Sequence, residues 1–296
     1  MKILIIGGTK FFGRHLVEEL LTQSHEVCIF TRGNVDLNFS KAVKHIKGDR
    51  KIKSELEQCL QLGKIDVIYD QICFNPSDAK VLIEVFNNKV PRLIFTSTAS
   101  VYDITMAEIL TEEKFDFKSF PKTYQDGEPY DYQWSKRTIE KIYSEDFNGE
   151  VAMVRFPIVI GEDDPTGRFK WHIDRIKNAE EIFVHNPEVN ISFVYSKDAG
   201  KFLAFLADKK FTGAINACSD ETIKWSKLIS LIEAKVSKKV KLLSGEIPEG
   251  KEQCQSPFGF EKGLVLSNQK ARHFGFTFSK LHQICQQLVD FYTDKN

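Results

Sequence analysis

The chain has 296 residues, 41 lysines and arginines balance 41 aspartates and glutamates, and 42% of the residues are hydrophobic. That length accommodates about two domains with a large core, and balanced charge argues against a dedicated polyanion binder, which needs a basic excess or stripe. The six cysteines (28, 59, 73, 218, 254, 285) form no C-x-x-C pair and have no histidine at zinc-ligand spacing, so they read as buried thiols of a reducing compartment, with no metal site.

Lys2-Ile3-Leu4-Ile5-Ile6 is a short apolar run rich in β-branched residues and reads as a buried strand. It is too short for a signal peptide, and no stretch approaches the ~18 apolar residues of a membrane span, which predicts a cytoplasmic protein away from membranes. The run stops at Gly7-Gly8-Thr9-Lys10-Phe11-Phe12-Gly13. Leu16, Val17, Leu20 and Leu21 then recur at helical spacing, and His25-Glu26-Val27-Cys28-Ile29-Phe30 reads as a second strand. This is a βαβ unit of about 30 residues, the setting in which a glycine fingerprint acquires meaning. Gly7 permits the tight turn, Gly8 keeps bulk away from a ligand, and Gly13 lets the helix pack closely. The free N–H groups at the helix start can hold a pyrophosphate. The bland alternative is a plain strand–helix turn.

After a polar loop, Thr31-Arg32-Gly33-Asn34, a weak third strand from Val43 to Ile46 ends at Gly48-Asp49, and a short helix runs through Leu56 and Leu60. Ile65-Asp66-Val67-Ile68-Tyr69 is a fourth strand. Asn75-Pro76 caps and opens a helix through Val81, Leu82, Val85 and Phe86, and Arg92-Leu93-Ile94-Phe95-Thr96 is a fifth strand. The alternation predicts an α/β fold, a doubly wound parallel sheet of Rossmann type. Residues 103–128 are polar, with Phe115, Phe117 and Phe120 interspersed, and read as a long connection of the kind that forms lids or binding loops. A helix is expected from Pro129 to about Phe147, then a strand over Val151–Phe156 closed by Pro157. Beyond Gly161 the pattern turns irregular, which suggests a smaller C-terminal α+β substrate domain. The expected division is 1–160, with a segment near 186–217 returning to the sheet, and 161–296.

Tyr132 and Lys136 stand four apart on the predicted helix, hence on one face. A phenol titrates near ~10, and a neighbouring ammonium stabilises the phenolate and draws it toward the working range of a base. The fifth strand runs out into Thr96-Ser97-Thr98-Ala99-Ser100-Val101-Tyr102, a hydroxyl cluster where ligands bind in open α/β sheets. His172 and His185 lack metal spacing and read as packing or surface residues.

Together these segments resemble the extended short-chain dehydrogenase/reductases, specifically the NAD-dependent epimerase/dehydratase group. The matching pieces are Gly7 to Gly13, Thr96 to Tyr102, Tyr132 to Lys136 and Arg155 to Gly161, in the family's order over roughly the first 220 residues. Asp163-Asp164-Pro165-Thr166-Gly167-Arg168-Phe169 is similar to a subgroup that includes isoflavone-reductase-like proteins and relatives of plant chloroplast stem-loop RNA-binding proteins. The resemblance implies an NAD(P)-binding domain followed by a substrate-binding region. It implies Tyr132 as acid/base, Lys136 tuning it and holding the nicotinamide ribose, and Thr98 binding the reacting oxygen. The implied cofactor residues are Gly7, Gly8, Thr9, Lys10, Phe11, Phe12, Gly13, Arg32, Asp49, Thr96, Ser97, Lys136 and Pro157. Several residues depart from the pattern. Lys10 replaces the middle glycine, and Arg32 replaces the acid of NAD-preferring members, which favours a 2′-phosphate. Ala99-Ser100 replaces the acidic pair of the dehydratases. Ile158 and Ile191 stand where sugar-nucleotide epimerases carry Asn and Arg. The expectation is an NADP- or NAD-dependent oxidoreductase or epimerase acting by hydride transfer at a carbinol carbon of a small molecule, with nucleotide sugars among the candidates and a homodimer left open. The alternative is a non-catalytic cofactor-sensing or RNA-binding protein on the same scaffold, which the neutral charge disfavours.

Overall fold

The computed structural model describes residues 1–105, 108–121, 131–247 and 249–294. The chain begins with β1 (Lys2–Ile6), α1 (Phe11–Thr22), β2 (Glu26–Thr31), β3 (Lys44–Lys47), α2 (Lys53–Leu56), β4 (Val67–Asp70), α3 (Pro76–Phe86) and β5 (Arg92–Thr98). There follow β6 (Ile109–Leu110), α4 (Tyr132–Asp146), β7 (Glu150–Phe156), β8 (Ile158–Ile160), α5 (Arg168–Lys177), β9 (Glu181–Phe183), β10 (Asn190–Tyr195), α6 (Ser196–Phe205) and β11 (Gly213–Asn216). The remainder holds β12 (Thr222–Lys224), α7 (Trp225–Val236), β13 (Lys241–Leu243), β14 (Val265–Leu266), α8 (Gln269–His273) and α9 (Leu281–Asp294).

Two compact units divide these elements. The first is Met1–Tyr102, Glu112–Phe156 and Lys197–Ala217; the second is Asp103–Thr111, Pro157–Ser196 and Cys218–Asn296. In the first unit seven strands form one sheet in the order β11-β7-β5-β4-β1-β2-β3, and every neighbouring pair is parallel. Parallel strands covered on both faces read as continuous apolar runs, which is why Ile3 to Ile6, Val27 to Phe30 and Leu93 to Phe95 are all buried. On one side Leu4, Ile6, Leu82, Val85, Phe86, Ile139, Ile142 and Tyr143 share a single core. Helix α1 buries the expected stripe of Leu16, Val17, Leu20 and Leu21. Strand order reverses between β1 and β4, the switch point that opens a crevice at the strands' C-terminal ends.

In the second unit β10 pairs parallel with β8 and antiparallel with β12, while β9–β13 and β6–β14 make separate parallel pairs. His172 is fully buried there, its Nε2 2.7 Å from Ser256 Oγ. Burial pushes its pKa down to about 4, the mark of a packing histidine.

Two local expectations change, and a third falls outside the described residues. Asn75 stands before α3 but its side chain makes no capping bond; its carbonyl accepts from Asp78 N at 3.0 Å. Within the connection expected over 103–128, Ile109–Leu110 is a strand paired with Val265–Leu266, a two-residue pairing too short to leave a periodic signal. Pro129 lies outside the described residues, and the described helix starts at Tyr132.

Candidate active site

The glycine turn after β1 has the strain that only glycine relieves. Gly7 has φ +101°, and a Cβ there would stand 3.0 Å from Ile72 Cγ2. A Cβ on Gly13 would come within 2.9 Å of the Gly8 Cα, so α1 can begin directly on the turn only without a side chain. Helix α1 has no side-chain cap at Lys10, which leaves its first N–H groups available to an anion. A dinucleotide's diphosphate fits this cradle. Lys10 is exposed, and Thr9, Phe11 and Phe12 are half-buried around the turn. Arg32 is exposed immediately after β2. Asp49 follows β3, where one carboxylate oxygen accepts from Lys51 N at 2.9 Å and its own N–H donates to Glu55 at 2.6 Å. Pro157 follows β7 and opens the next segment of the second unit.

Helix α4 is launched by Asp131, whose carboxylate accepts from Trp134 N at 3.2 Å, and this cap sets Tyr132 at the mouth of the helix, 47% exposed. One turn on, Lys136 is 2% exposed. Its Nζ donates to the carbonyls of Cys73, in the loop after β4, at 2.9 Å and of Thr96, near the end of β5, at 3.0 Å. The ammonium also lies 4.7 Å from the Phe95 ring centroid, 5.1 Å from Phe74's and 5.9 Å from Tyr132's. Burial is the main cause that lowers the Lys136 pKa to about 8. At the end of β5 the three expected hydroxyls take different roles. The Thr98 hydroxyl accepts from Ser100 N at 3.1 Å and donates to Ser100 Oγ at 3.2 Å. Ser97 points inward and donates to Glu140 Oε1 at 2.6 Å. Thr96 is buried, and its side chain meets no protein partner among the described residues.

Sequence reasoning missed the groups beneath this surface. Glu140, one turn beyond Lys136, is fully buried against Arg155, which donates from Nε at 3.0 Å and Nη2 at 2.6 Å. Arg155 Nη1 also donates to Tyr102 Oη at 3.0 Å and to Glu112 O at 2.9 Å. The Tyr-x3-Lys-x3-Glu spacing was the signal available. A second cluster joins Arg50 to Asp70, with Tyr143 Oη donating to the same carboxylate. Gln71 and the half-exposed Phe74 also escaped notice, since neither belongs to a spacing pattern.

Residues 3–218 match the sequence profile of the NAD dependent epimerase/dehydratase family. A curated relative, the chloroplast stem-loop binding protein of 41 kDa b from Arabidopsis thaliana, is 28% identical over 235 residues covering 74% of this chain; the chain spans 59% of that relative's length. UDP-glucose 4-epimerase of Thermotoga maritima, solved with UDP-glucose, superposes with a TM-score of 0.76 at 16% identity, covering 100% of this chain and 99% of that one. The dTDP-glucose 4,6-dehydratase of Bacillus anthracis, solved with NAD, gives a TM-score of 0.75 at 15% identity, covering 99% and 97%.

The depressed Lys136 pKa has a consequence for stability. Between about 8 and the ordinary 10.5 the unfolded chain holds a proton that the folded site releases, so stability rises with pH across that window and levels off above it. In chemical denaturation from pH 8 to 10.5, the unfolding free energy of the parent minus that of Lys136→Met should rise by about 3 kcal/mol. A flat difference would show that Lys136 titrates normally.

Proposed function

The chain belongs to the NAD dependent epimerase/dehydratase family, and from that premise we propose that it moves a hydride between a nicotinamide dinucleotide and a carbinol carbon of a small-molecule substrate, with Tyr132 carrying the proton. The observation that carries this reading is the pairing of a solvent-reachable Tyr132 with a buried Lys136 whose ammonium is pinned to the carbonyls of Cys73 and Thr96. An isolated surface pair would leave both side chains in water. The bound dinucleotide supplies the hydride acceptor or donor. On oxidation the carbinol C–H leaves as hydride, the O–H proton passes to the Tyr132 phenolate, and the C–O bond becomes a carbonyl. The Lys136 charge favours that phenolate. The Thr98 hydroxyl, held among the described residues by its neighbour Ser100 alone, exchanges that contact for the substrate oxygen and orients it.

We place Gly7, Gly8 and Gly13 under the diphosphate, with Thr9, Lys10, Phe11 and Phe12 around it, and Thr96, Ser97 and Pro157 nearer the nicotinamide. Arg32 and Asp49 approach the adenosine ribose. Nucleotide sugars are the first substrates to assay, because both compared enzymes act on that class; Ile158 and Ile191 replace polar groups that would hold one, so other carbinols belong in the same panel. The six cysteines are free and buried, which supports a reducing, cytoplasmic setting. The name of the Arabidopsis relative, a stem-loop binding protein, supports a second reading, binding of structured RNA.

Replacing Tyr132 by Phe should preserve folding and dinucleotide binding and lower turnover ~10²–10⁴-fold. Thr98→Ser should be mild and Thr98→Val severe; a Tyr132→Phe protein as active as the parent would refute the mechanism. Titrations should show NADP bound more tightly than NAD, with the preference shrinking in Arg32→Ala, and a clear NAD preference in the parent would contradict the role given to Arg32. With 41 positive and 41 negative side chains, RNA retention in gel shifts should be weak and fall steeply with salt. Sub-micromolar retention at physiological salt would establish the second reading.

A further inference from the structure

Gly7, Gln71 and Thr96 stand in one row across the switch point. Ile6 pairs with Asp70 and Asp70 with Phe95, so the next residue on each strand continues the register, and Gln71 N donates to Ile6 O at 3.1 Å. A Cβ on Gly7 would lie 3.2 Å from the Gln71 Cβ. Gln71 is 8% exposed and Thr96 7%. Among the described residues neither Nε2 nor Oε1 of Gln71, nor Oγ1 of Thr96, meets a protein partner. Burying an amide or hydroxyl unpaired is unfavourable, and Met or Val would fill the same volumes without that cost. Two such groups on adjacent strand ends, beside the glycine cradle, mark a place where a ligand completes the bonding.

The chemistry narrows the ligand group. A phosphate only accepts hydrogen bonds, so it would leave Gln71 Oε1 unsatisfied, whereas a sugar hydroxyl both donates and accepts. The Lys136 ammonium donates to the carbonyl of Thr96 itself at 3.0 Å, which sets this pair at the lysine end of the crevice. We propose that the Gln71 amide and the Thr96 hydroxyl together hold the hydroxyls of the nicotinamide-side ribose, making Gln71 a dinucleotide-binding residue. This rests on the dinucleotide binding proposed above.

The parent, Gln71→Met, Thr96→Val and Thr96→Ser are compared by calorimetric titration with NADP, NAD, ADP-ribose and ADP, and by thermal melts without ligand. Loss of one such hydrogen bond should weaken the dinucleotides and ADP-ribose about five- to thirtyfold in Gln71→Met and in Thr96→Val. ADP, which lacks the second ribose, should change less than about twofold, and Thr96→Ser should bind like the parent. The ligand-free melting temperature of both apolar variants should hold or rise, because each removes an unpaired buried group. Unchanged dinucleotide affinity in both apolar variants, with or without a lower melting temperature, would overturn the assignment, as would an equal loss for ADP. If Gln71→Met fails to fold, Thr96→Val decides alone by the same criteria. A parent that binds neither dinucleotide rejects the proposed function itself, a result distinct from parent binding that the substitutions leave untouched.

Discussion

One buried ion pair ties helix α4, which carries Tyr132 and Lys136, to the sheet of the first unit. Glu140 on α4 and Arg155 on β7 are both fully buried, and their charges are tolerable only because every direction is filled. Ser97 donates to the carboxylate from β5, while the guanidinium also bonds Tyr102 Oη and the carbonyls of Glu112 and Phe115. Tyr102 Oη in turn donates to Asn216 at the end of β11, and Glu112 accepts from the Asn216 N–H at 2.8 Å. Burial by itself would lower the Arg155 pKa, but Glu140 beside it holds it above the ordinary value. Removing one partner of such a pair typically costs about 3–5 kcal/mol, because the other charge is then stranded. The axial position of α4 along β5 is thereby set, and with it the placement of Tyr132 and Lys136.

Lys136 shows the converse use of burial. Where Arg155 has a counter-ion in bonding contact, Lys136 Nζ has two carbonyl oxygens and the faces of Phe95 and Phe74. Dipoles and ring quadrupoles compensate an ammonium less completely than a carboxylate does, and the charge stays under tension. The role proposed for Lys136 rests on that tension, since an ammonium with no carboxylate bonded to it gains most when an anion forms one turn away. The nearby Arg50–Asp70 pair, closed by Tyr143, keeps a carboxylate within the same core while spending it on another cation.

The departures from the family's pattern leave the frame intact. Gly7, Gly8 and Gly13 retain the turn geometry, and the strand order keeps its reversal between β1 and β4. Lys10 and Arg32 change the charge exposed beside the turn and after β2 without touching either. Specificity on a shared scaffold is expected to lie in such positions, because a site can be altered at a few side chains while a parallel sheet tolerates little.

The sequence by itself determined the frame. Continuous apolar runs, a helical stripe on α1 and glycines before it are local patterns with fixed periods, and so is the four-residue step from Tyr132 to Lys136. The short strands β6 and β14 left no such trace, because two residues cannot establish a period and each exists only by pairing with the other. What only the tertiary structure decided is which polar groups are satisfied and which are not. Ser97 and Glu140 are 43 positions apart, and Tyr102 and Asn216 are 114 apart. Ser97 and Thr96 look equivalent in the hydroxyl cluster, yet one is bonded to a buried carboxylate and the other is not. Alternate residues of a strand face opposite sides of the sheet, and what lies on each side is contributed by segments remote in the chain.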